Sequence, residues 1–192
     1  IHGTLSNLPE ELKDRKDLFK QVIPKVAAWV LQYAGPEVRS DKDILRLAME
    51  ADKTHGYAPS ALEYAAAEVF DDREFLKQVL TQRKDEYYNL PETLKTDREL
   101  LKIVLKQGLS LPEEVSTDRE LVETFVSSGD RFAYNSIPED VASDPELAKI
   151  YLRHGGCWSS IPEKLRKRWD LMAIFIEHYD YEQDYISVDY EL

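Results

Sequence analysis

Apolar residues recur along this chain in a fixed pattern of four positions. In one segment they are Leu100, Leu101, Val104 and Leu105, at relative positions i, i+1, i+4 and i+5. This spacing fits the 3.6-residue period of an α-helix, on which the four positions share one face, and not the two-residue period of a strand. The pattern occurs seven times, and all 28 positions hold an apolar or aromatic residue. The seven sets start at Leu18, Ile44, Phe75, Leu100, Leu121, Leu147 and Leu171. We therefore predict seven amphipathic helices.

A shorter helix is predicted in front of each of these helices. Residues 90–108, 111–129 and 137–155 align without a gap, and fainter copies begin at residues 8, 34, 65 and 161. The aligned copies open with apolar-Pro-Glu, and a proline is tolerated in a first helical turn because its missing N–H would have no partner there. In the early repeats we expect longer first helices over 26–34 and 60–70, the former broken at Gly35-Pro36. The repeats start 21 to 31 residues apart, a spacing typical of solenoids.

Capping boxes are predicted at the starts of both helices, because a polar residue stands three positions before a carboxylate. The first-helix boxes are Asn7/Glu10, Asn89/Glu92, Ser110/Glu113, Ser136/Glu139 and Ser160/Glu163. The second-helix boxes are Thr96/Glu99, Thr117/Glu120 and Ser143/Glu146, with looser versions at Ser40/Asp43 and Asp71/Glu74. Gly108, Gly129 and Gly155 are expected to end their helices in the left-handed conformation.

These elements predict an all-α, solenoid-like array of about seven short helix–helix repeats. The array forms a single domain over residues 1–179, followed by an acidic, tyrosine-containing tail over residues 180–192. A leucine-rich repeat is the alternative, because Ile-Pro or Leu-Pro recurs every twenty-odd residues. That fold needs an alternating Leu-x-Leu strand and a following Asn, whereas this chain has Thr-Asp-Arg-Glu-Leu running into pairs of apolar residues.

Two segments carry a resemblance to a known repeat. Val30-Leu31-Gln32-Tyr33-Ala34 is followed by Asp41-Lys42-Asp43-Ile44, and Ala61-Leu62-Glu63-Tyr64-Ala65 by Asp72-Arg73-Glu74-Phe75. Both segments resemble the repeat family catalogued as domain of unknown function 4116, with the best match over residues 26–80. Later repeats replace Tyr-Ala by Asn-Leu, Leu-Pro or Ile-Pro. The resemblance implies a helical repeat of microbial and protist proteins, some thought to be delivered into host cells, and it implies no activity or ligand.

Composition and charge restrict the class of partner. With 43% hydrophobic and 32% charged residues, the chain suits a folded soluble protein, and no apolar stretch approaches the roughly 20 residues that span a bilayer. The net charge of −12 repels nucleic acid and gives little attraction to anionic lipid, so we expect a protein partner, and a basic surface would be steered toward this chain. The lone Cys157 makes no internal disulfide, which fits a reducing compartment such as the cytoplasm. Because the chain begins at Ile1, a removed leader or an upstream domain stays an open alternative.

Chemical motifs are few. His154 lies three residues before Cys157, and a nearby base is what activates a thiol, but no acid is placed to orient the histidine, so a packed linker is favoured. Asp180, Glu182, Asp184 and Glu191 mimic an EF-hand, yet the required glycine is Tyr185. His2, His55, His154 and His178 show no zinc spacing. We expect no metal, no cofactor and no enzymatic activity.

Aromatic residues ahead of the short helices are the candidate interaction residues. They are Tyr87, Tyr88, Tyr134 and Trp158. Such side chains anchor interfaces well, but they equally suit the hydrophobic ends of the repeats. The predicted function is a monomeric, non-enzymatic scaffold for protein–protein interaction. An acidic inhibitor that neutralises a basic partner is the first alternative, and an enzyme without a site visible in the sequence is the second.

Overall fold

A computed structural model describes residues 7–55 and 60–178, and for residues 52–55 it describes the backbone only. Regular structure in these ranges is helical throughout, which confirms the all-α prediction. The α-helices are α1 Glu10–Lys13, α2 Lys16–Val26, α3 Pro36–Arg39, α4 Lys42–His55, α5 Arg73–Gln82, α6 Glu92–Lys95, α7 Arg98–Leu105, α8 Arg119–Val126, α9 Glu139–Ala142, α10 Pro145–Arg153, α11 Glu163–Arg166 and α12 Trp169–His178. Short 3₁₀ helices cover Ala28–Tyr33, Ala61–Tyr64, Ala67–Asp71, Lys84–Asn89, Glu113–Val115, Ala133–Ser136 and Trp158–Ser160.

The seven predicted apolar stripes lie on the seven longer helices, α2, α4, α5, α7, α8, α10 and α12. In the five repeats between the first and the last, all 20 stripe side chains are buried. On α2, Phe19 and Ile23 are buried and the other two stripe positions are half-buried. On α12 only Leu171 is buried. Burial of these side chains against neighbouring elements is what stabilises helices that would be marginal alone.

The chain divides between Lys95 and Thr96 into two compact units. In the first unit, α2 packs against α4. In the second, α7 packs against α8, α8 against α10 and α10 against α12, so consecutive long helices are neighbours. A single domain over residues 1–179 and the winding of a solenoid stay predictions.

The first helix of each repeat is short. It is one turn of four residues in α1, α3, α6, α9 and α11, and a 3₁₀ helix in the third and fifth repeats. The longer helices expected over 26–34 and 60–70 are wrong, because those segments form short 3₁₀ helices. Pro24 lies inside α2 and begins no new helix. Gly35 is extended, with ψ 172°, as the steric demand of Pro36 on its neighbour requires.

The residues at the cap positions also differ from the predicted ones. In the first-helix boxes, α1, α9 and α11 begin at the glutamate itself, with a proline at the cap position and no side-chain cap hydrogen bond. In the second-helix boxes the aspartate after the predicted Ser, Thr or Asp is the cap. The capping residues are Asp41, Asp72, Asp97, Asp118 and Asp144, each accepting backbone N–H groups of its own first turn. The predicted Ser, Thr or Asp and the aspartate that follows it are both good capping residues, so the sequence did not show which of the two is the cap.

Three helix-ending glycines behave as predicted. Gly108, Gly129 and Gly155 have φ angles of 74°, 82° and 81°, in the left-handed region that glycine adopts at low cost.

Candidate functional site

The capping aspartates also take part in ion pairs between successive repeats. In the first, second, fourth and fifth repeats, the residue after the cap position is a cation that pairs with the capping aspartate of the next repeat. The pairs are Lys16–Asp41 at 2.9 Å, Lys42–Asp72, Arg98–Asp118 and Arg119–Asp144. Hydrogen bonds from Lys102 and Arg98 likewise hold the pKa of Glu120 below its ordinary value. These pairs link successive repeats, and we call them the ladder.

The ladder changes in the last repeat. Pro145 occupies the position of the cation in the sixth repeat, and Arg168 stands where the second to sixth repeats have the capping aspartate. Arg168 instead forms two hydrogen bonds with Asp170, of 3.0 and 2.9 Å. Arg15 and Asp17 form the same pair in the first repeat. Both partners of the missing ion pair are therefore replaced together, and Arg168 has its counter-ion in Asp170.

We expect Asp118 to stabilise mainly as a helix cap. Asp118→Ala should cost about 0.5–2 kcal/mol in the free energy of unfolding, because the amide of Leu121 loses its acceptor. Asp118→Asn keeps an acceptor and removes only the ion pair with the half-exposed Arg98, so it should cost about 0.2–1 kcal/mol. Urea denaturation of both variants measures the difference. Equal costs would show that the ion pair, and not the cap, is the stabilising contact.

A pH titration tests the pair in the last repeat. The hydrogen bonds from Arg168, with help from Lys149, lower the pKa of Asp170 to about 2. Since the folded pKa lies below the ordinary 3.8, the stabilisation is present above that value and is lost as the pH falls toward 2. Arg168→Ala should move the carboxyl titration of Asp170, followed by NMR, upward toward 3.8. An unchanged midpoint would contradict the assigned pair.

A groove in the first unit is the candidate binding site. It lies between α4 and α5, has a volume of about 180 Å³, and is lined by Arg46, Met49, Glu50, Gln78, Val79, Gln82 and Arg83. Met49 and Val79 belong to the apolar stripes and are buried, so they form the floor. Arg46, Gln78 and Gln82 are exposed at the rim.

The two arginines of the groove are held by neighbouring groups. Arg46 donates to the side-chain oxygen of Gln78 at 3.0 Å, and its guanidinium lies 5.1 Å from the ring centre of Phe75. Arg83 donates to the carbonyl oxygen of Met49 at 2.5 Å, and its Nε lies 3.5 Å from a carboxylate oxygen of Glu86. Glu86 is buried and also accepts from the hydroxyl of Ser60. Arg83 is thus part of the structure, whereas Arg46 has exposed donors to offer.

The volume and the chemistry of this groove restrict its ligand. Small-molecule pockets usually measure roughly 300–1,000 Å³, so about 180 Å³ admits a side chain or a short stretch of main chain. Guanidinium groups bind carboxylates with paired hydrogen bonds. A glutamine amide offers one donor and one acceptor group, as a peptide bond does. An extended peptide with an acidic side chain meets all three conditions.

Comparison with protein-family models, with curated proteins and with solved structures gave no match. The likeness to the repeat family named above therefore stays a resemblance, and the assignment of a function rests on the geometry.

Two of the four predicted aromatic residues are interior side chains. Tyr87 is 4% and Tyr134 is 3% exposed. Each hydroxyl donates to the carbonyl oxygen eight residues later, Tyr87 to Lys95 at 2.9 Å and Tyr134 to Ala142 at 2.8 Å. Tyr134 also lies against the Tyr151 ring, with centres 4.8 Å apart, and burial raises its pKa. This placement favours packing over binding for both tyrosines.

Tyr88 and Trp158 are more accessible. Tyr88 is 59% exposed and meets Tyr87 edge-on, at 5.8 Å between ring centres. Trp158 is half-buried and lies 5.3 Å from the Phe175 ring. An interaction role for these two stays a prediction. The sequence did not single out Arg46, Gln78 or Gln82, because no repeated motif marks them.

The two residues of the thiol–histidine motif contact different groups. The Sγ of Cys157 lies 3.0 Å from the Ser159 hydroxyl oxygen, and its backbone N–H donates to the Tyr151 hydroxyl. The Nδ1 of His154 lies 2.8 Å from the carbonyl oxygen of Ile150 in its own helix. These contacts favour the packed-linker interpretation.

The described ranges contain neither a metal-ligand cluster nor a membrane-spanning helix. No group of three or more His, Cys, Asp or Glu side chains comes together there as a metal site. None of the helices described is long and apolar enough to cross a bilayer. His2, the side chain of His55 and the EF-hand-like residues Asp180, Glu182, Asp184 and Glu191 lie outside the described part of the chain.

Proposed function

We propose that this protein is a helical-repeat scaffold that recognises another protein through the groove between α4 and α5. The ligand is an extended peptide segment with an acidic side chain. The observation that carries the proposal is the combination in one small groove of the exposed guanidinium of Arg46, two amides and an apolar floor, with the exposed carboxylate of Glu50 also on the lining.

Arg46 is the residue we assign to the acidic side chain. Its side chain is 47% exposed, and it shares an ion pair of 3.2 Å with Asp43, whose side chain is 78% exposed. A guanidinium has five N–H donors, so donors remain after the bonds to Asp43 and Gln78. The contact with Phe75 holds the group at the rim, which lowers the entropy lost when a ligand binds.

Gln82 and Met49 are assigned to the rest of the peptide. Gln82 is exposed on the last turn of α5, where its amide can pair with a main-chain N–H and C=O. Met49 is buried at the floor, and its flexible thioether adapts to ligand side chains of different shape. Main-chain pairing supplies affinity, and the floor and Arg46 supply selectivity.

The test is selection of peptides from a displayed random library on the full chain. We expect enriched peptides to contain Asp or Glu beside an apolar residue. Arg46→Ala should weaken their binding about 10–100-fold, because a hydrogen bond to a charged group contributes about 1.5–3 kcal/mol. Gln82→Ala should also weaken binding, by a smaller factor.

Lys20→Ala is the matched control, since it removes an exposed cation from α2 of the same unit and should leave binding unchanged. Enrichment of basic peptides would support the acidic-inhibitor alternative instead. Absence of enrichment, or full binding by Arg46→Ala, would overturn the proposal.

A further inference from the structure

The last helix, α12, is apolar around most of its circumference. Seven of its ten residues are apolar, yet only Leu171 is buried. Trp169 is 79% and Ile176 is 64% exposed. A helix that is apolar on all sides is normally covered on all sides. The exposed apolar side chains of α12 are not part of the groove. We therefore expect another segment to cover them.

Four poorly covered residues of α12 form one surface, with Trp169, Ala173 and Ile176 exposed and Met172 half-buried. Trp169, Met172, Ala173 and Ile176 stand at positions i, i+3, i+4 and i+7, which share a helix face. We call these four residues the α12 face. Phe175 lies elsewhere on the helix, where it packs against Trp158. The α12 face is therefore a continuous apolar strip along a helix of about 15 Å.

A basic cluster lies on the chain just before α12, and α11, which carries part of it, contacts α12. Lys164, Arg166, Lys167 and Arg168 are all exposed, on or next to α11. Lys167 pairs with Glu163, and Arg168 pairs with Asp170. Among the residues that the structure describes, Lys164 and Arg166 have no ion-pair partner. An acidic ligand would supply one.

The chain itself carries a segment of complementary character directly after α12. Residues 180–192 contain five acidic residues and no basic residue. Their apolar or aromatic residues are Tyr181, Tyr185, Ile186, Val188, Tyr190 and Leu192. Seven residues of extended chain reach about 25 Å, so a segment that starts at residue 179 is long enough to return along α12 to Trp169.

We propose that residues 180–192 dock onto the α12 face of the same molecule, with their carboxylates beside Lys164 and Arg166. The apolar residues of the segment bury Trp169 and Ile176, and the acidic residues neutralise the basic cluster. This contact closes the last repeat, which otherwise presents an apolar helix to water.

Paramagnetic broadening in the full chain tests the contact. With Cys157→Ser and Ser187→Cys, a nitroxide is attached at residue 187 alone, and the Trp169 indole N–H signal is recorded before and after reduction of the nitroxide. We expect the oxidised label to remove most of the Trp169 signal and reduction to restore it. Dilution with unlabelled chain should leave the effect unchanged, because the contact is within one molecule.

Charge reversal supplies the matched comparison. Lys164→Glu with Arg166→Glu should restore the Trp169 signal in the oxidised state, and raised salt should do the same because exposed charges are screened. Lys20→Glu with Lys25→Glu changes the net charge equally on exposed residues of α2 and should leave the broadening in place. An undiminished Trp169 signal would overturn the proposal, as would broadening that appears only between molecules or that survives the Lys164/Arg166 reversal.

Discussion

Phe125→Ala is expected to lower the free energy of unfolding by about 3–5 kcal/mol. Phe125 is 1% exposed on α8, a helix that packs against both α7 and α10, so neighbours on two sides surround the cavity that the truncation leaves. Urea denaturation followed by circular dichroism measures the loss.

Phe132→Ala is the matched control, because Phe132 is the same residue type seven positions later and is 66% exposed. We expect a change within about 0.5 kcal/mol there, as for surface substitutions. Similar costs at both positions would mean that the stripe of α8 faces water, which would contradict the packing.

Gly156→Ala is expected to cost about 1–3 kcal/mol. A Cβ added there would lie 2.5 Å from two carbons of the Tyr151 ring, and Tyr151 is fully buried. The Tyr151 hydroxyl also accepts the N–H of Cys157 at 3.0 Å and donates to the carbonyl oxygen of Arg131, so the ring cannot move without breaking hydrogen bonds. Denaturation by urea again gives the cost.

The same substitution in a Tyr151→Leu background separates this clash from other causes. With the ring removed, the added methyl group has room, so the cost of Gly156→Ala should fall and the two substitutions should be coupled. Simple additivity would show that the glycine is needed for another reason.

The helices and their buried faces could be predicted because the signal is local. The spacing of a set such as Leu121, Val122, Phe125 and Val126 indicates a helix by itself. Because the four side chains share one apolar face, that face is expected to be buried, and it is. Capping was less certain, since Thr117 and Asp118 are adjacent and either can accept the first-turn amides. Likewise the sequence could not tell that Tyr87 is buried and Tyr88 exposed. The two residues are identical in type, and the backbone of the turn decides which side chain faces the core.

The ladder and the groove were beyond sequence reasoning for a different reason. Arg119 and Asp144 are 25 residues apart, and only the packing of α8 against α10 brings their repeats together. Arg46 and Gln82 line one groove because α4 and α5 form its walls, and neither residue stands in a motif. Contacts of this kind are set by tertiary packing, so no pattern of neighbouring residues reports them.

Mapping of backbone amide shifts tests the recognition groove most directly. The isotope-labelled full chain is titrated with an acidic peptide obtained by the selection described above. We predict that the amide shifts change at residues 46–50 and 78–83, and that Arg46→Ala abolishes the changes at the same peptide concentration. Changes confined to other residues, such as those around Tyr88 or Trp158, would contradict the groove as the recognition site.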